Sequence, residues 1–207
     1  IVNDLGAVRA LEDAGAPMII MPSLFEEQIA AEAKATAHAH EQGRDISAEA
    51  ASLLPGADDY RLGTDEYLEQ VRRIKAAVRV PVVASLNGVT PDGWTDYARL
   101  VEQAGADALE LNLYEVAMDP NESAAQVEER LLTIVRNVRS AVKIPLAVKL
   151  SPFFTAFSNF AKRMEESGAN GLVVFNRFFQ PDVDVENQEV RRTYPSHRSE
   201  ILLRLHW

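Results

Sequence analysis

Cysteine is missing from all 207 residues of this chain. Disulfides, thiolate metal centres and a cysteine nucleophile or base are therefore excluded. Histidine is scarce: His38, His40, His197 and His206 are scattered, and the first two, two positions apart, would point to different faces of a helix. No metal centre is expected from them. Basic charge is also in short supply, with a net charge of −10. A nucleic-acid binder usually shows a basic face, and none stands out. No apolar run approaches the roughly 18–20 residues needed to span a bilayer. The opening stretch IVNDLGAVRALEDAGA has no signal-peptide pattern. The expectation is a cytoplasmic protein without nucleic-acid or membrane partners.

What is present is ordinary globular composition, 47% hydrophobic and 25% charged. Three segments resemble one another: LEDAGAPMIIMPS from Leu11, VEQAGADALELNL from Val101 and MEESGANGLVVFN from Met164. Each reads as a helix end, a glycine (Gly15, Gly105 or Gly168) that closes the last turn with φ > 0, and a short apolar run. Such runs are too short for helices and read as strands buried on both faces of a parallel sheet. VRVPVVASLNG and VKIPLAVKLSP have another lead-in, in which Pro81 and Pro145 open the strand. Five strands follow: Met18–Met21, Val82–Leu86, Ala108–Asn112, Leu146–Leu150 and Leu172–Phe175.

Helical patterns lie between them. The chain starts with one, and Thr64–Val78 repeats apolar residues at Tyr67, Leu68, Val71, Ile74 and Val78. Thr90 and Pro91 read as N-cap and first-turn proline. Ser123 with Gln126 reads as a capping box for the helix through Val142. Thr155–Ser167 is the last helix, Glu26–Gln42 an additional one, and LLPGADDYRLG a loop. Nothing suggests a linker, so the chain reads as a single domain.

Alternating strands and helices imply parallel strands with right-handed crossovers. An open doubly wound sheet and a (β/α)8 barrel both fit. The barrel is favoured because no G-x-G-x-x-G follows the first strand and because polar residues recur at strand ends, where barrels place their active sites. A closed barrel needs eight strands. The five here read as strands 2–6, with strand 1 and strands 7–8 outside the chain, so the whole of 1–207 is expected to be a partial barrel.

Lys149 shares a strand face with Ala147 and Ser151. A buried lysine is rare unless paired. It is either a structural partner for Glu110 or a cation facing a ligand's developing negative charge. Asn87, Asn112 and Asn176 end three strands, although asparagine is depleted in strands. Each amide both donates and accepts, which suits a heterocycle with alternating N–H and C=O groups. They cap loops or share one ligand pocket.

LEDAGAPMIIMPSLFEEQI, VPVVASLNGVTPDGW, ADALELNLY, IPLAVKLSPFF and GLVVFNRFFQPDVD together resemble the dihydroorotate dehydrogenase-like family of FMN-dependent (β/α)8 barrels. The resemblance implies a flavin across the C-terminal mouth of the barrel and hydride transfer from a small, pyrimidine-like substrate to flavin N5. Lys149 matches the family lysine near flavin N1 and the C2 carbonyl, where it stabilises the reduced ring. Asn112 matches the first residue of the family's asparagine-leucine-serine-cysteine-proline-asparagine motif. Asn176 matches a substrate-binding asparagine, and Asn87 aligns with a strand end that contributes polar contacts to the cofactor. The sequence departs from the family where that motif has its cysteine base. Glu115 stands there, and Glu115 or Tyr114 is the candidate base. The family's glycine-rich phosphate loops follow the last two strands, outside this chain. Two other readings remain: a non-catalytic partial barrel whose open edges associate, including as a homo-oligomer, and an aldolase-type barrel with Lys149 as Schiff base.

Overall fold

The computed structural model describes residues 4–25, 64–87, 91–113, 117, 119–176, 182–184 and 189–191. Helix α1 (Leu5–Asp13) begins where Asp4 accepts hydrogen bonds from the N–H groups of Gly6 and Ala7, at 2.8 and 3.3 Å, a side-chain N-cap. Strand β1 (Ile19–Phe25), helix α2 (Thr64–Ala77), strand β2 (Val82–Asn87), helix α3 (Pro91–Gln103) and strand β3 (Ala108–Leu113) follow. Helix α4 (Ala124–Ala141), strand β4 (Leu146–Leu150), helix α5 (Phe157–Glu166) and strand β5 (Gly171–Val174) continue the alternation. Two three-residue strands, β6 (Asp182–Asp184) and β7 (Glu189–Arg191), pair antiparallel.

Strands β1 to β5 form one sheet in chain order, and β1–β2 and β4–β5 pair parallel. Parallel neighbours need crossover connections, which the intervening helices supply. The five strands expected from sequence are all present; Leu146–Leu150 has the expected bounds, and the ends of the other four are shifted. The largest shift is in β1, which runs on to Phe25 past a register irregularity between Ile20 and Ser23. Pro22 sits in that irregularity and has no N–H to offer a ladder. The expected helix over Glu26–Gln42 and the N-cap Thr90 lie outside the described residues. The β6–β7 pair had no sequence signal, because three residues cannot show a period.

Two local devices act as anticipated. Gly15, Gly105 and Gly168 have φ of 90°, 92° and 107°. Ser123 and Gln126 complete both halves of a capping box: Ser123 N–H donates to Gln126 Oε1 at 2.8 Å, and Gln126 N–H to Ser123 Oγ at 3.4 Å.

The chain divides into two compact units, Ile1–Glu110 with Ser140–Pro145, and Leu111–Arg139 with Leu146–Trp207. In the first, Val82, Ala84 and Leu86 on β2, Val71 and Ile74 on α2, and Leu109 on β3 are inaccessible to solvent or nearly so. In the second, Leu146, Val148 and Leu150 on β4 join Leu132 and Val135 of α4 and Phe160 of α5 as its most buried side chains. Each fully buried side chain of this size contributes about 1.5–3 kcal/mol. Alternation sorts the chemistry of each inner strand. One face of β4 is Leu146, Val148 and Leu150, all buried; Ala147 and the half-buried Lys149 occupy the other. In β3, Glu110 and Asn112 likewise alternate with Leu109, Leu111 and Leu113.

Candidate functional site

In the first unit the polar strand ends are joined by a chain of hydrogen bonds. Ser23 Oγ on β1 lies 2.7 Å from Ser85 Oγ on β2, and Ser85 Oγ donates to Glu110 Oε1 on β3 at 2.8 Å. Ser85 and Glu110 are buried, and polar groups at that depth need such partners. The backbone of Ser85 is held from helix α2. Its N–H donates to the Tyr67 hydroxyl at 3.0 Å, and that hydroxyl donates to its C=O at 3.1 Å. Burial pushes the Tyr67 hydroxyl far above its ordinary pKa, the hydrogen bond to Ser85 offsets this in part, and the charge of Glu110 adds to the rise. Tyr67 therefore stays protonated and keeps its donor. Asn87 closes β2, half-buried and paired in register with Phe25.

The second unit brings two of the three strand-end asparagines together. Asn176 Nδ2 donates to Asn112 Oδ1 at 2.7 Å, and Asn176 N–H donates to the Leu150 C=O at 2.8 Å. One bond fixes the Asn176 side chain against β3 and the other fixes its backbone against β4. The Asn112 N–H groups and the Asn176 side-chain carbonyl lie outside that amide–amide bond. Lys149 stands on β4, the strand between, paired in register with Val173. Tyr114 and Glu115, the candidate bases, lie outside the described residues.

Beside the ends of β3 and β4 a cavity of about 510 Å³ is lined by Leu113, Val127, Leu131, Ser151, Phe153 and Phe154, among others. Its size is ordinary for a small-molecule site. Its described lining includes neither Lys149 nor the asparagines.

A family model described as dihydroorotate dehydrogenase matches residues 56–193, more than half of the chain. The chain belongs to the dihydroorotate dehydrogenase family. The catalytic subunit of dihydroorotate dehydrogenase B (NAD(+)) from Geobacillus kaustophilus is 30% identical over 126 residues, which cover 60% of this chain and 40% of that protein. The corresponding subunit from Methanocella arvoryzae is 34% identical over 115 residues, covering 51% and 35%. The chain thus spans less than half the length of these relatives. Among solved structures, a dihydrodipicolinate synthase from Agrobacterium tumefaciens superimposes with a TM-score of 0.51 at 17% identity, covering 83% of this chain and 47% of that one. That likeness concerns the fold alone. With the family match, it puts the parallel sheet and its helices in the (β/α)8 barrel class.

Sequence reasoning passed over Ser23, Ser85 and Tyr67 as partners. Ser23 and Ser85 stood among the polar strand ends, and that recurrence was the available signal. Tyr67 counted only as an apolar position of its helix, because nothing local shows that its hydroxyl reaches a strand 18 residues away.

Proposed function

We propose that the protein of which this chain is part is an FMN-dependent oxidoreductase that removes a hydride and a proton from adjacent carbons of a small, planar, pyrimidine-like substrate. The observation that carries the reading is the Asn176–Asn112 bond of 2.7 Å, which joins strand ends on either side of the strand that bears Lys149. The residues fit a flavin's pyrimidine edge by donor set. Lys149 offers only donors, the Asn112 amide keeps its N–H groups, and Asn176 keeps a carbonyl acceptor. When bound, the flavin supplies the hydride acceptor.

The protein's own residues do the rest. The Lys149 ammonium sets positive charge against the ring edge that gains electron density on reduction, and its half-buried position strengthens that effect relative to water. Asn112, 6% exposed and tied to Asn176, is held in one orientation and so aligns a ring without further ordering. Asn176 supports substrate binding and Asn87 cofactor binding. Glu115 or Tyr114 takes the substrate proton, in place of the cysteine of the family motif. The five strands serve as strands 2–6 of the barrel, and phosphate binding falls to segments beyond this chain.

The test is an absorbance spectrum of the complete purified protein, with the released chromophore identified. A yellow protein that releases FMN is expected. A colourless protein that stays so after FMN addition overturns the reading.

A second reading has its own observation. The outermost strands expose apolar residues, with Ile20 of β1 47% and Val174 of β5 37% accessible. Uncovered edges of this kind promote association, so the chain alone would act as a non-catalytic assembly piece. Size-exclusion chromatography separates the two: a stable flavin-free oligomer supports assembly, and a flavin-loaded monomer excludes it. The aldolase alternative gains nothing from the structural likenesses, which reach only the fold.

A further inference from the structure

The cavity beside the ends of β3 and β4, of about 510 Å³, takes no part in the serine–glutamate chain or the amide pair. One of its walls is a face of α4. Ala124, Val127, Glu128 and Leu131 follow the i, i+3, i+4, i+7 spacing of a single helical stripe. Leu131 is buried, and the stripe continues from it into Val135 and Val138 in the core. Val127 is only half-buried and Ala124 is exposed, so the stripe emerges from the core at this cavity. The segment after β4 supplies another apolar surface. Phe154 is anchored by stacking on the fully buried Phe160, with ring centroids 4.3 Å apart. Phe153, next to it in the chain, is 59% exposed.

Two observations decide what this space suits. The first is Ser151. It lines the cavity and is 4% exposed, yet among the described residues its hydroxyl has no hydrogen-bond partner. Buried polar groups are normally paired. The Ser151 oxygen is not sealed within the packing, so a hydrogen bond to it comes from the cavity side.

The second is charge. Glu122 and Glu128 also line the cavity, and both are held by arginines. Arg130 donates to both oxygens of Glu122, and Arg163 donates to Glu128 at 2.5 Å. A cationic guest would compete with those arginines, and an anionic guest would face two carboxylates. A neutral guest meets neither cost.

We propose that this cavity binds a neutral, ring-containing small molecule, which lays its apolar body against Val127, Leu131 and Phe154 and shares one hydrogen bond with Ser151 Oγ. The volume admits a compound of one or two rings with a single hydroxyl or carbonyl group. This ligand is separate from the pyrimidine-like substrate, which is assigned to Asn112 and Asn176, outside the lining. The site stands whether or not the protein binds flavin.

The probe is 2-naphthol, titrated into the complete purified protein by isothermal titration calorimetry. Saturable binding within its millimolar solubility is expected. Ser151→Ala should weaken it about fivefold, the worth of one neutral hydrogen bond. Val127→Gln, which puts an amide into the half-buried apolar wall, should weaken it about tenfold. The charged analogues 2-naphthoate and 2-naphthylmethylammonium should each bind at least about tenfold more weakly than 2-naphthol. Thermal melts give a second readout. Without ligand, Ser151→Ala should melt no lower than the unaltered protein, because the hydroxyl it removes has no partner. With 2-naphthol present, the unaltered protein should gain the larger shift. Excess uracil, a pyrimidine probe, should leave the affinity for 2-naphthol unchanged. No saturation, unchanged affinity in either variant, charged analogues bound as tightly, or a ligand-free Ser151→Ala protein that melts lower overturns the proposal. So does competition by uracil, which would make the cavity part of the substrate pocket.

Discussion

The Tyr67 hydroxyl holds both backbone groups of Ser85: it accepts from the Ser85 N–H at 3.0 Å and donates to the Ser85 C=O at 3.1 Å. Pro81 O accepts from Ile19 of β1, whereas Val82 O accepts from Asp107. Odd-numbered residues of β2 therefore turn their backbone groups toward β1, and Ser85 does so where pairing resumes at Ser23, just past the irregularity around Pro22. Tyr67→Phe should strip both Ser85 groups of this hydroxyl and lower stability by about 1–3 kcal/mol. Urea unfolding should show a lower midpoint at an unchanged slope; an unchanged midpoint would mean that water replaces the hydroxyl.

Asp107 offers a charge-reversible version of the same kind of support. Its carboxylate lies 2.6 Å from Lys75 Nζ and accepts from Val82 N–H at 2.7 Å. Burial alone would push its pKa up, but the bonds from Lys75 and Val82 outweigh burial and hold it below the ordinary value of 3.8. A lowered carboxylate pKa adds stability that is present above the ordinary value and is lost as pH falls through the folded one. Asn170 fills the same role against Leu146 as a neutral amide, so Asp107→Asn should fold. At pH 7 it should be less stable than the unaltered chain by under about 1 kcal/mol, because both side chains are 34% exposed. The gap should narrow in acid, as thermal melts from pH 7 to pH 2 would show.

Gly168 and Gly105 share a left-handed conformation but not a neighbourhood. A Cβ on Gly168 would lie 2.5 Å from Arg139 Cγ, whereas one on Gly105 meets nothing within 4 Å. Gly105→Ala should cost about 1–2 kcal/mol through backbone strain. Gly168→Ala should cost more, by up to about another 1 kcal/mol, because Arg139 must also move. Equal losses in matched melts would show that Arg139 yields freely.

The amide pair and the lysine can be tested apart. Asn176→Ala strips the buried Asn112 carbonyl of its donor and should reduce stability by about 1–3 kcal/mol. A double-mutant cycle with Asn112→Ala should return a coupling of about 0.5–1.5 kcal/mol. Lys149→Ala should instead act on the flavin, weakening FMN binding or slowing reduction at least about tenfold in the complete protein. Flavin fluorescence titration and stopped-flow reduction measure the two. No change in either would return Lys149 to a structural role.

Local signals explain what the sequence made legible. Apolar runs after glycine or proline marked all five strands of the large sheet, because each run is set by its own residues and their immediate stops. The Ser123–Gln126 box was readable because both partners lie within one turn. The contacts of Glu12 and Glu102 were not. Glu12 meets Arg79 and Glu102 meets Lys143 across 67 and 41 positions, and a helix-terminal glutamate otherwise reads as a solvated charge. Its recurrence at one place in all three copies was the available clue. The slip in β1 escaped for a related reason: Pro22 forbids a ladder bond, but nothing nearby says that the strand continues beyond it. Lys149, Asn112 and Asn176 stood out singly as polar residues in apolar surroundings. Which of them touch depends on strand order, and that only the folded chain supplies.

Glu12 and Glu102 each accept from the two amides ahead of a proline-led strand, Pro81 and Pro145, and so act as clamps between neighbouring strands. Each clamp skips one strand-and-helix pair before it closes, so the natural increment is two strands long, and an eight-stranded barrel divides into quarters. Each such unit carries its own closure, Glu12 on Arg79 and Val80 and Glu102 on Lys143 and Ile144, wherever it stands in the chain.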